Sequence, residues 1–319
     1  MHPNFFLFLF FLFFSMFMAI SASSWFIMWF SLEMNTISFI SMIYESNNQF
    51  SSESCFKYFF IQAISSIILL FFSQPILNFN YNSIMITLAI LLKLGAAPFH
   101  LWFLVLMRSI KWVPCLMLST IQKIIPLSIL FSIKSSLIVL FTLISAFLGS
   151  LGGFNQSNMK TLFAYSAIAH LSWMLSSLYS TYMIWMFYWV CYFLLSCSII
   201  LILNFYSILS MKIIILMWWP KQFLILIMFL SLGGLPPLFG FLPKWFLLNY
   251  LIMNSPIISL ILILTSILNL YFYIRIFYSP ILMMIPLSKF KSTLSSFSII
   301  FTMISSFTIF SLPFIPTMN

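Results

Sequence analysis

The chain has 319 residues, of which 63% are hydrophobic and only 5% are charged, and its mean hydropathy is +1.16. A water-soluble protein cannot cover its surface with so few polar residues, so that class is excluded. The net charge of +10 lacks a basic cluster or a polar domain, which excludes a nucleic-acid partner. In lipid, every backbone N–H and C=O group must find its hydrogen-bond partner within the protein, and an α-helix provides these partners. The composition therefore predicts an all-α polytopic protein surrounded by membrane lipid.

The first apolar run, FFLFLFFLFFSMFMAI, follows His2, Pro3 and Asn4. Small residues after it are compatible with a secretory signal, but the run has no basic region before it and is long for such a signal. We therefore interpret it as the first membrane span. Eleven apolar stretches along the chain are each about long enough to cross a hydrocarbon core of roughly 30 Å. They are 4–20, 25–44, 57–77, 84–106, 112–132, 136–154, 160–178, 182–206, 222–249, 256–278 and 295–315.

Loop charges predict the orientation of these spans. When the spans alternate in direction, a single basic loop residue, Lys134, lies on the side opposite the N-terminus. The nine on the N-terminal side are Lys57, Arg108, Lys111, Lys160, Lys212, Lys221, Arg275, Lys289 and Lys291. Basic loops stay on the cytoplasmic side or its equivalent, the mitochondrial matrix, so the N-terminus is predicted there and the C-terminus on the opposite side. We interpret these charges as orienting residues without a catalytic role. The most polar connection is predicted at 45–57.

Two spans contain helix-breaking residues. The fourth, 84–106, includes KLGAAPFHLW, and the ninth, 222–249, includes GGLPPLFGFLPKW. Lipid cannot satisfy freed backbone groups, so breaks of this kind are expected inside protein or beside a wet cavity, although a simple proline kink is an alternative. The breaking residues are Gly95, Pro98, Gly234, Pro236, Pro237 and Gly240.

The breaks lie five spans apart, which predicts two five-helix repeats within a single membrane domain. The repeats are 1–134 and 135–279, each with a broken fourth helix, and 280–319 contributes one extra helix. Because five is odd, the second repeat is inverted in the membrane, as in secondary transporters. The lysines near the breaks are not copies of each other, since Lys93 precedes its break and Lys244 follows its own.

Glu33, Lys93, Lys123 and Lys244 are charged residues that lie inside spans and belong to neither set of loop charges. A charge at the bilayer centre costs at least about 2.5–3.5 kcal/mol, so these residues are candidates for a proton relay. A structural ion pair is the alternative for each, and Lys244 is long enough to reach the membrane interface instead. His100 and His170 are either secondary relay groups or hydrogen-bonded core residues.

Metal and cofactor sites are not predicted on this chain. Its three histidines are scattered, and its cysteines have no metal-site spacing, so we interpret the cysteines as buried apolar residues. They are Cys55, Cys115, Cys191 and Cys197. The excess of Lys over Arg and the 21 Met are typical of an AT-rich gene read with an extra methionine codon, which suggests an organelle-encoded protein.

Several motifs together resemble one family. In chain order these are SLEMN, KYFFIQ, KLGAAPFHLW, TIQKIIP, GGFNQSNMKTLFAYSAIAHLSWM, GGLPPLFGFLPKW and LNLYFYIR. From about Glu33 to Arg275 the chain resembles the mitochondrially encoded subunit two of NADH dehydrogenase, an antiporter-like membrane-arm subunit of respiratory complex I, in its short animal form. The resemblance implies that Glu33 pairs with Lys93, that Lys123 is the central proton-carrying lysine, and that Lys244 is the exit-side lysine.

The resemblance also implies partners and a location. The expected partners are other membrane-arm subunits, including neighbouring antiporter-like subunits, in the mitochondrial inner membrane. Flavin, iron–sulfur clusters and ubiquinone are expected on partner subunits, with none on this chain. Three alternatives stay open from the residues: a stand-alone cation/proton antiporter, a structural scaffold without proton transfer, and a quinone-binding subunit.

Overall fold

The structure is a computed structural model that describes residues 5–45, 48–74, 79–215, 217 and 219–282. The helices are α1 Phe5–Ile20, α2 Trp25–Ile43, α3 Gln49–Phe72, α4 Phe79–Leu94, α5 Leu101–Ser109, α6 Trp112–Ser119, α7 Ile124–Ile133, α8 Leu137–Gly152, α9 Met159–Ser177, α10 Tyr182–Phe205, α11 Met211–Ile215, α12 Trp219–Gly233, α13 Phe241–Asn254 and α14 Pro256–Leu282. A 3-10 turn, Ile121–Lys123, joins α6 to α7. The predicted eleventh span, 295–315, lies outside the described residues.

Five helical segments of the described chain are long and apolar enough to cross a membrane, judged by length and composition. They are Trp25–Ile43, Gln49–Phe72, Trp112–Ile133, Tyr182–Phe205 and Pro256–Ile276. Shorter apolar helices include α1, α8 and parts of α4 and α12. The predicted all-helical, multi-pass membrane class is therefore confirmed.

The interior is built around α9, in which every residue except Tyr165 is buried. Helix α8 approaches it closely, because a Cβ atom added at Gly149 would lie 2.6 Å from the backbone nitrogen of Ala169. Small residues allow such backbone contact between membrane helices. On the periphery, α1 exposes Phe6, Phe10 and Phe17, as is favourable for side chains that face lipid. The core therefore surrounds α9, with phenylalanine-rich helices outside it.

Contacts between loops group the helix ends. At one end, Lys111 pairs with Glu45 at 2.9 Å, and Lys160 donates a hydrogen bond to the carbonyl oxygen of Ile110. Helix α14 reaches this end through Arg275, which donates to the carbonyl oxygen of Gln156 at 3.1 Å. These basic residues thus gather at one end of the helices.

The opposite end is joined by two tyrosines. Tyr179, after α9, donates to the carbonyl oxygen of Ser135 at 2.8 Å, and Tyr250, near the end of α13, donates to the carbonyl oxygen of Tyr179 at 2.9 Å. Lys134 lies beside Ser135 and is exposed. It is therefore separated from the basic residues of the other end.

Helix α3 begins eight residues earlier than the predicted start of the third span at residue 57. Asn48 caps it by accepting a hydrogen bond from the backbone nitrogen of Phe50 at 3.1 Å. Glu53 and Lys57 then form an ion pair one turn apart. Most of the predicted connection 45–57 is thus a polar helical extension, because capping and side-chain pairing sustain a helix that hydropathy alone does not reveal.

The sequence analysis identifies breaks only in the fourth and ninth spans, but the fifth is also interrupted, next to its central lysine. Thr120 has φ −121° and ψ −69°, outside the helical region, and the 3-10 turn follows before α7 begins. Pro126 has no N–H and therefore cannot donate to the carbonyl of Gln122, four residues earlier. The prediction of two broken helices was thus incomplete, since this one also departs from α geometry.

Candidate functional site

Both predicted breaks are interruptions of several residues, which is more than a proline kink. Helix α4 ends at Leu94 and α5 begins at Leu101, while α12 ends at Gly233 and α13 begins at Phe241. The residue directly after each first half-helix is a glycine with positive φ, 66° at Gly95 and 77° at Gly234. That left-handed backbone favours glycine, because other residues carry a Cβ that clashes there. The peptide bonds preceding Pro98 and Pro237 are both cis.

Lys244 lies against the second break. It is buried, and its ammonium donates to the carbonyl oxygen of Gly233, the last residue of α12, at 2.8 Å. It also lies 5.4 Å from the centre of the Trp173 ring. The carbonyls at the end of a helix have no partner within the helix and carry partial negative charge, so they suit a cation. The alternative in which Lys244 reaches the membrane interface is therefore wrong for this structure.

The position of Lys244 explains why the two lysines near the breaks differ in sequence. Lys93 belongs to the last turn of α4, whereas Lys244 comes from the second half-helix and reaches back to the last carbonyl of α12. Each break thus places a lysine at the carboxyl end of its first half-helix. The equivalence is spatial and does not follow the sequence register.

Glu33 and Lys93 form an ion pair between α2 and α4. Their charged atoms are 3.7 Å apart, and the side chain of Lys93 is 2% exposed against 23% for Glu33. This separation is too long for a hydrogen bond, and the Lys93 ammonium has no hydrogen-bond partner among the described residues. Glu33 therefore attracts the ammonium by charge, while the donors of Lys93 stay available.

Lys123 lies at the end of the 3-10 turn and is buried. Its ammonium donates to the backbone carbonyl of Ala167 in α9 at 3.0 Å. The rings of Phe103 and Tyr192 lie 5.3 Å and 5.9 Å from it, within the range of cation–π attraction. In the described chain Lys123 forms no ion pair, so a carbonyl and two aromatic rings stabilise its positive charge.

A small cavity of about 20 Å³ connects the surroundings of Lys93 and Lys123, with room for about one water molecule. Besides the two lysines, the side chains with polar atoms that line it are Asn35, Thr36, Tyr58, Gln62, Trp102 and Gln122. Sequence reasoning missed these uncharged residues. Their signal was present, because Asn35 and Gln122 lie close in sequence to Glu33 and Lys123 within apolar spans.

His170 lies between the surroundings of Lys123 and Lys244. It is buried, and its Nδ1 is 2.9 Å from the hydroxyl oxygen of Tyr188. Its ring centre is 5.0 Å from that of Tyr192, the ring that also faces Lys123. Tyr188 in turn stacks on Trp173, the ring that faces Lys244. Aromatic contacts thus link His170 to the surroundings of both lysines.

His100 is not part of this arrangement. Its side chain is only half-buried, and its Nδ1 lies 3.1 Å from the carbonyl oxygen of Pro98, two residues away. The structure therefore brings Glu33 and Lys93 together, places Lys123 and Lys244 on either side of His170, and leaves His100 in a local turn.

Comparison with known proteins places this chain in a family. The model of the transmembrane family "NADH:quinone oxidoreductase/Mrp antiporter" matches residues 22–80 and 72–269. NADH-ubiquinone oxidoreductase chain 2 of Anopheles gambiae is 38% identical over 320 residues, covering 94% of each chain. The chain belongs to the NADH-ubiquinone oxidoreductase chain 2 family. The Lumbricus terrestris member is 38% identical over 276 residues, or 82% of each chain.

Solved structures show that this chain shares its fold with more distant proteins. A chain of respiratory complex I from Thermus thermophilus has a TM-score of 0.83 at 20% identity, covering 98% of this chain and 79% of that one. A chain of the Mrp complex from Dietzia has a TM-score of 0.70 at 14% identity, covering 82% of this chain and 57% of that one. This chain thus shares the fold of these proteins, in agreement with the antiporter family model that it matches.

Proposed function

We propose that this chain is an antiporter-like, proton-translocating subunit of the membrane arm of NADH:ubiquinone oxidoreductase. The observation that carries the proposal is the set of three buried lysines, Lys93, Lys123 and Lys244, each of which adjoins a helix interruption. Charged groups in membrane spans are costly and mark ion or proton paths. Membership of the chain 2 family supplies the enzyme to which this path belongs.

In this proposal a proton moves between Lys93 and Lys123, and then past His170 towards Lys244. Glu33 controls the first lysine, because its carboxylate stabilises the ammonium of Lys93 only while the two groups are close. Lysine suits such a path because it can release its proton, whereas arginine stays protonated. The carbonyl oxygens of Ala167 and Gly233, with the neighbouring aromatic rings, hold the charges of Lys123 and Lys244 in transit.

The proposed topology has eleven spans, ten of them formed by the described helices. Residues 1–134 and 135–279 form inverted repeats and 280–319 an extra helix, a division supported by the matched glycines at the two breaks. The chain crosses the mitochondrial inner membrane with its N-terminus in the matrix and its C-terminus towards the intermembrane space. The gathering of Lys111, Lys160 and Arg275 at one end supports this orientation.

Redox chemistry is assigned to partner subunits. Flavin, iron–sulfur clusters and ubiquinone bind there, and the partners of this chain are the adjoining membrane-arm subunits, including other antiporter-like subunits. Its contribution to the enzyme is therefore proton movement coupled to electron transfer elsewhere.

A stand-alone cation/proton antiporter is the second candidate. It is favoured by the fold likeness to a chain of the Mrp complex and by the name of the matching family model. Native-gel migration separates the two functions: the proposed one requires this chain in a large assembly with NADH dehydrogenase activity, and a small complex without that activity would favour the antiporter.

The test of the proposed function is replacement of Lys123 in the assembled enzyme. Lys123→Met keeps the bulk but removes the titratable group, so we expect assembly to persist while proton translocation is lost and NADH oxidation slows with it. Lys123→Arg should fail nearly as badly, because a fixed positive charge cannot cycle. Normal proton translocation per NADH in sealed vesicles containing assembled Lys123→Met enzyme would refute the proposal.

A further inference from the structure

Three uncharged side chains from three segments meet between Lys93 and Lys123. The amide nitrogen of Gln122, in the 3-10 turn, donates to Oδ1 of Asn35 in α2 at 2.8 Å. The hydroxyl of Tyr58, in α3, donates to the amide oxygen of the same glutamine at 3.3 Å. The Gln122 amide therefore bridges α2 and α3, and we call these three residues the amide bridge.

The amide bridge has a defined orientation. Asn35 and Tyr58 are buried, and the Tyr58 ring packs at 5.2 Å from Phe39 and 5.8 Å from Trp102, measured between ring centres. With both neighbours fixed, the amide of Gln122 directs its oxygen to the hydroxyl and its nitrogen to Asn35. If the Gln122 amide were turned over, its NH2 group would face the O–H of Tyr58 and its oxygen would face Oδ1 of Asn35. Two donors and two acceptors would then oppose each other, unless these partners also rearranged.

The bridge lines the cavity through which a proton moving between Lys93 and Lys123 would pass. All three of its residues line the cavity shared with Lys93 and Lys123, whose volume of about 20 Å³ leaves room for only about one water. The ammonium of Lys123 is hydrogen-bonded to Ala167, and that of Lys93 is paired with Glu33. Neither lysine is therefore hydrogen-bonded to the bridge.

The chemistry of these groups decides what the bridge can do. A neutral amide has no proton to release near neutral pH, and the O–H of Tyr58 is directed at the amide oxygen, away from any relay. A proton would therefore need a chain of water molecules around these groups, and the cavity is too small to hold such a chain. The conformation described here therefore interrupts transfer between the two lysines.

We propose that the amide bridge of Asn35, Tyr58 and Gln122 is a gate between Lys93 and Lys123. The gate opens when the Gln122 amide leaves its two partners, which frees the Tyr58 hydroxyl and enlarges the cavity for a longer water chain. Because Gln122 directly precedes Lys123, the same movement of the 3-10 turn shifts the lysine relative to Ala167. A single motion would then both open the gate and allow Lys123 to receive a proton. This inference rests on the proposed function, since it regulates the same path.

The experiment replaces Gln122 by Ala in the full enzyme in sealed vesicles. Without the bridge, transfer between the lysines is no longer timed to the catalytic cycle. We expect fewer protons translocated per NADH, while the rate of NADH oxidation stays within about twofold of the unmodified enzyme. Tyr58→Phe removes a single hydrogen bond and keeps the packed ring, so it should lower the ratio in the same direction but less. If Gln122→Ala does not assemble, Tyr58→Phe alone tests whether the amide bridge is a gate.

Gln222→Ala is the matched control, because Gln222 bonds to the carbonyls of Ile214 and Met217 at a distance from the cavity lining. It should leave the ratio unchanged. An unchanged ratio in assembled Gln122→Ala or Tyr58→Phe enzyme would overturn the gate. The gate would also be overturned if the rates of NADH oxidation and proton translocation fell by the same factor. That result is expected of a residue that conducts protons or has only a structural role. Failure of the proposed function would be seen in a different experiment, as normal proton translocation in the Lys123→Met enzyme.

Discussion

The ammonium of Lys244 donates a hydrogen bond to the carbonyl oxygen of Gly233 across the second helix break, at 2.8 Å. The aliphatic part of the lysine lies directly on the next residue, because a Cβ atom added at Gly234 would be 2.9 Å from Cδ of Lys244. The break thus has two linked properties: a carbonyl that holds the charge, and a glycine that leaves space for the side chain.

Gly234→Ala is the first prediction. The new methyl group would displace Lys244, and its left-handed backbone would cost about 1–2 kcal/mol. We expect reduced proton translocation in enzyme that still assembles, measured in sealed vesicles. Gly95→Ala is the control, because it has the same backbone strain but meets Phe103 and Trp102 at 3.2 Å and no lysine. Equal effects of both changes would show that strain alone is responsible.

Glu33→Gln removes the negative charge beside Lys93 and keeps the shape of the side chain. Removing one partner of a buried ion pair costs about 3–5 kcal/mol, and we expect less here because Glu33 is partly exposed and 3.7 Å away. Lys93 should hold a proton less often, so proton translocation and coupled NADH oxidation should both slow. Glu53→Gln, at an exposed ion pair with Lys57, should have almost no effect. Full activity of Glu33→Gln would leave the pair with a structural role.

The two histidines are expected to differ. His170→Phe keeps an aromatic ring but leaves the buried hydroxyl of Tyr188 without its partner, at a cost of about 1–3 kcal/mol, and removes a titratable group between Lys123 and Lys244. We expect lower proton translocation and a lower melting temperature. His100→Phe should change neither, because His100 makes only a local contact with Pro98. Impaired translocation in His100→Phe would place a relay group where we find none.

Orientation can be measured with an amine-reactive reagent that does not cross membranes. Lys134 and Lys111 lie at opposite ends, and the side chain of Lys111 is 74% exposed although it pairs with Glu45. In mitoplasts, whose outer face is the intermembrane-space side, Lys134 should be modified and Lys111 protected. Inverted vesicles should give the reverse pattern. Labelling of Lys111 in intact mitoplasts would reverse the proposed topology.

The sequence by itself determined the membrane class, the positions of most helices and the charged residues within them. These properties are local: hydropathy over about 20 residues decides whether a segment enters lipid, and a glycine followed by proline breaks its helix wherever it lies. It also indicated both breaks, at Gly95 and Gly234, before their backbone geometry was known. It misplaced the start of α3, since caps and ion pairs extend a helix beyond its apolar part.

Only the tertiary structure decided which side chains meet. Gln122 reaches Asn35, 87 residues away, and Lys123 reaches Ala167, 44 residues away, so neither contact is visible in local sequence. His170 and His100 look equivalent in the sequence and are separated only by the packing of their helices. Lys93 and Lys244 occupy different sequence positions relative to their breaks, but in space each lies at the carboxyl end of the first half-helix. Helix packing brings these groups together, because buried polar atoms must find partners wherever neighbouring helices supply them.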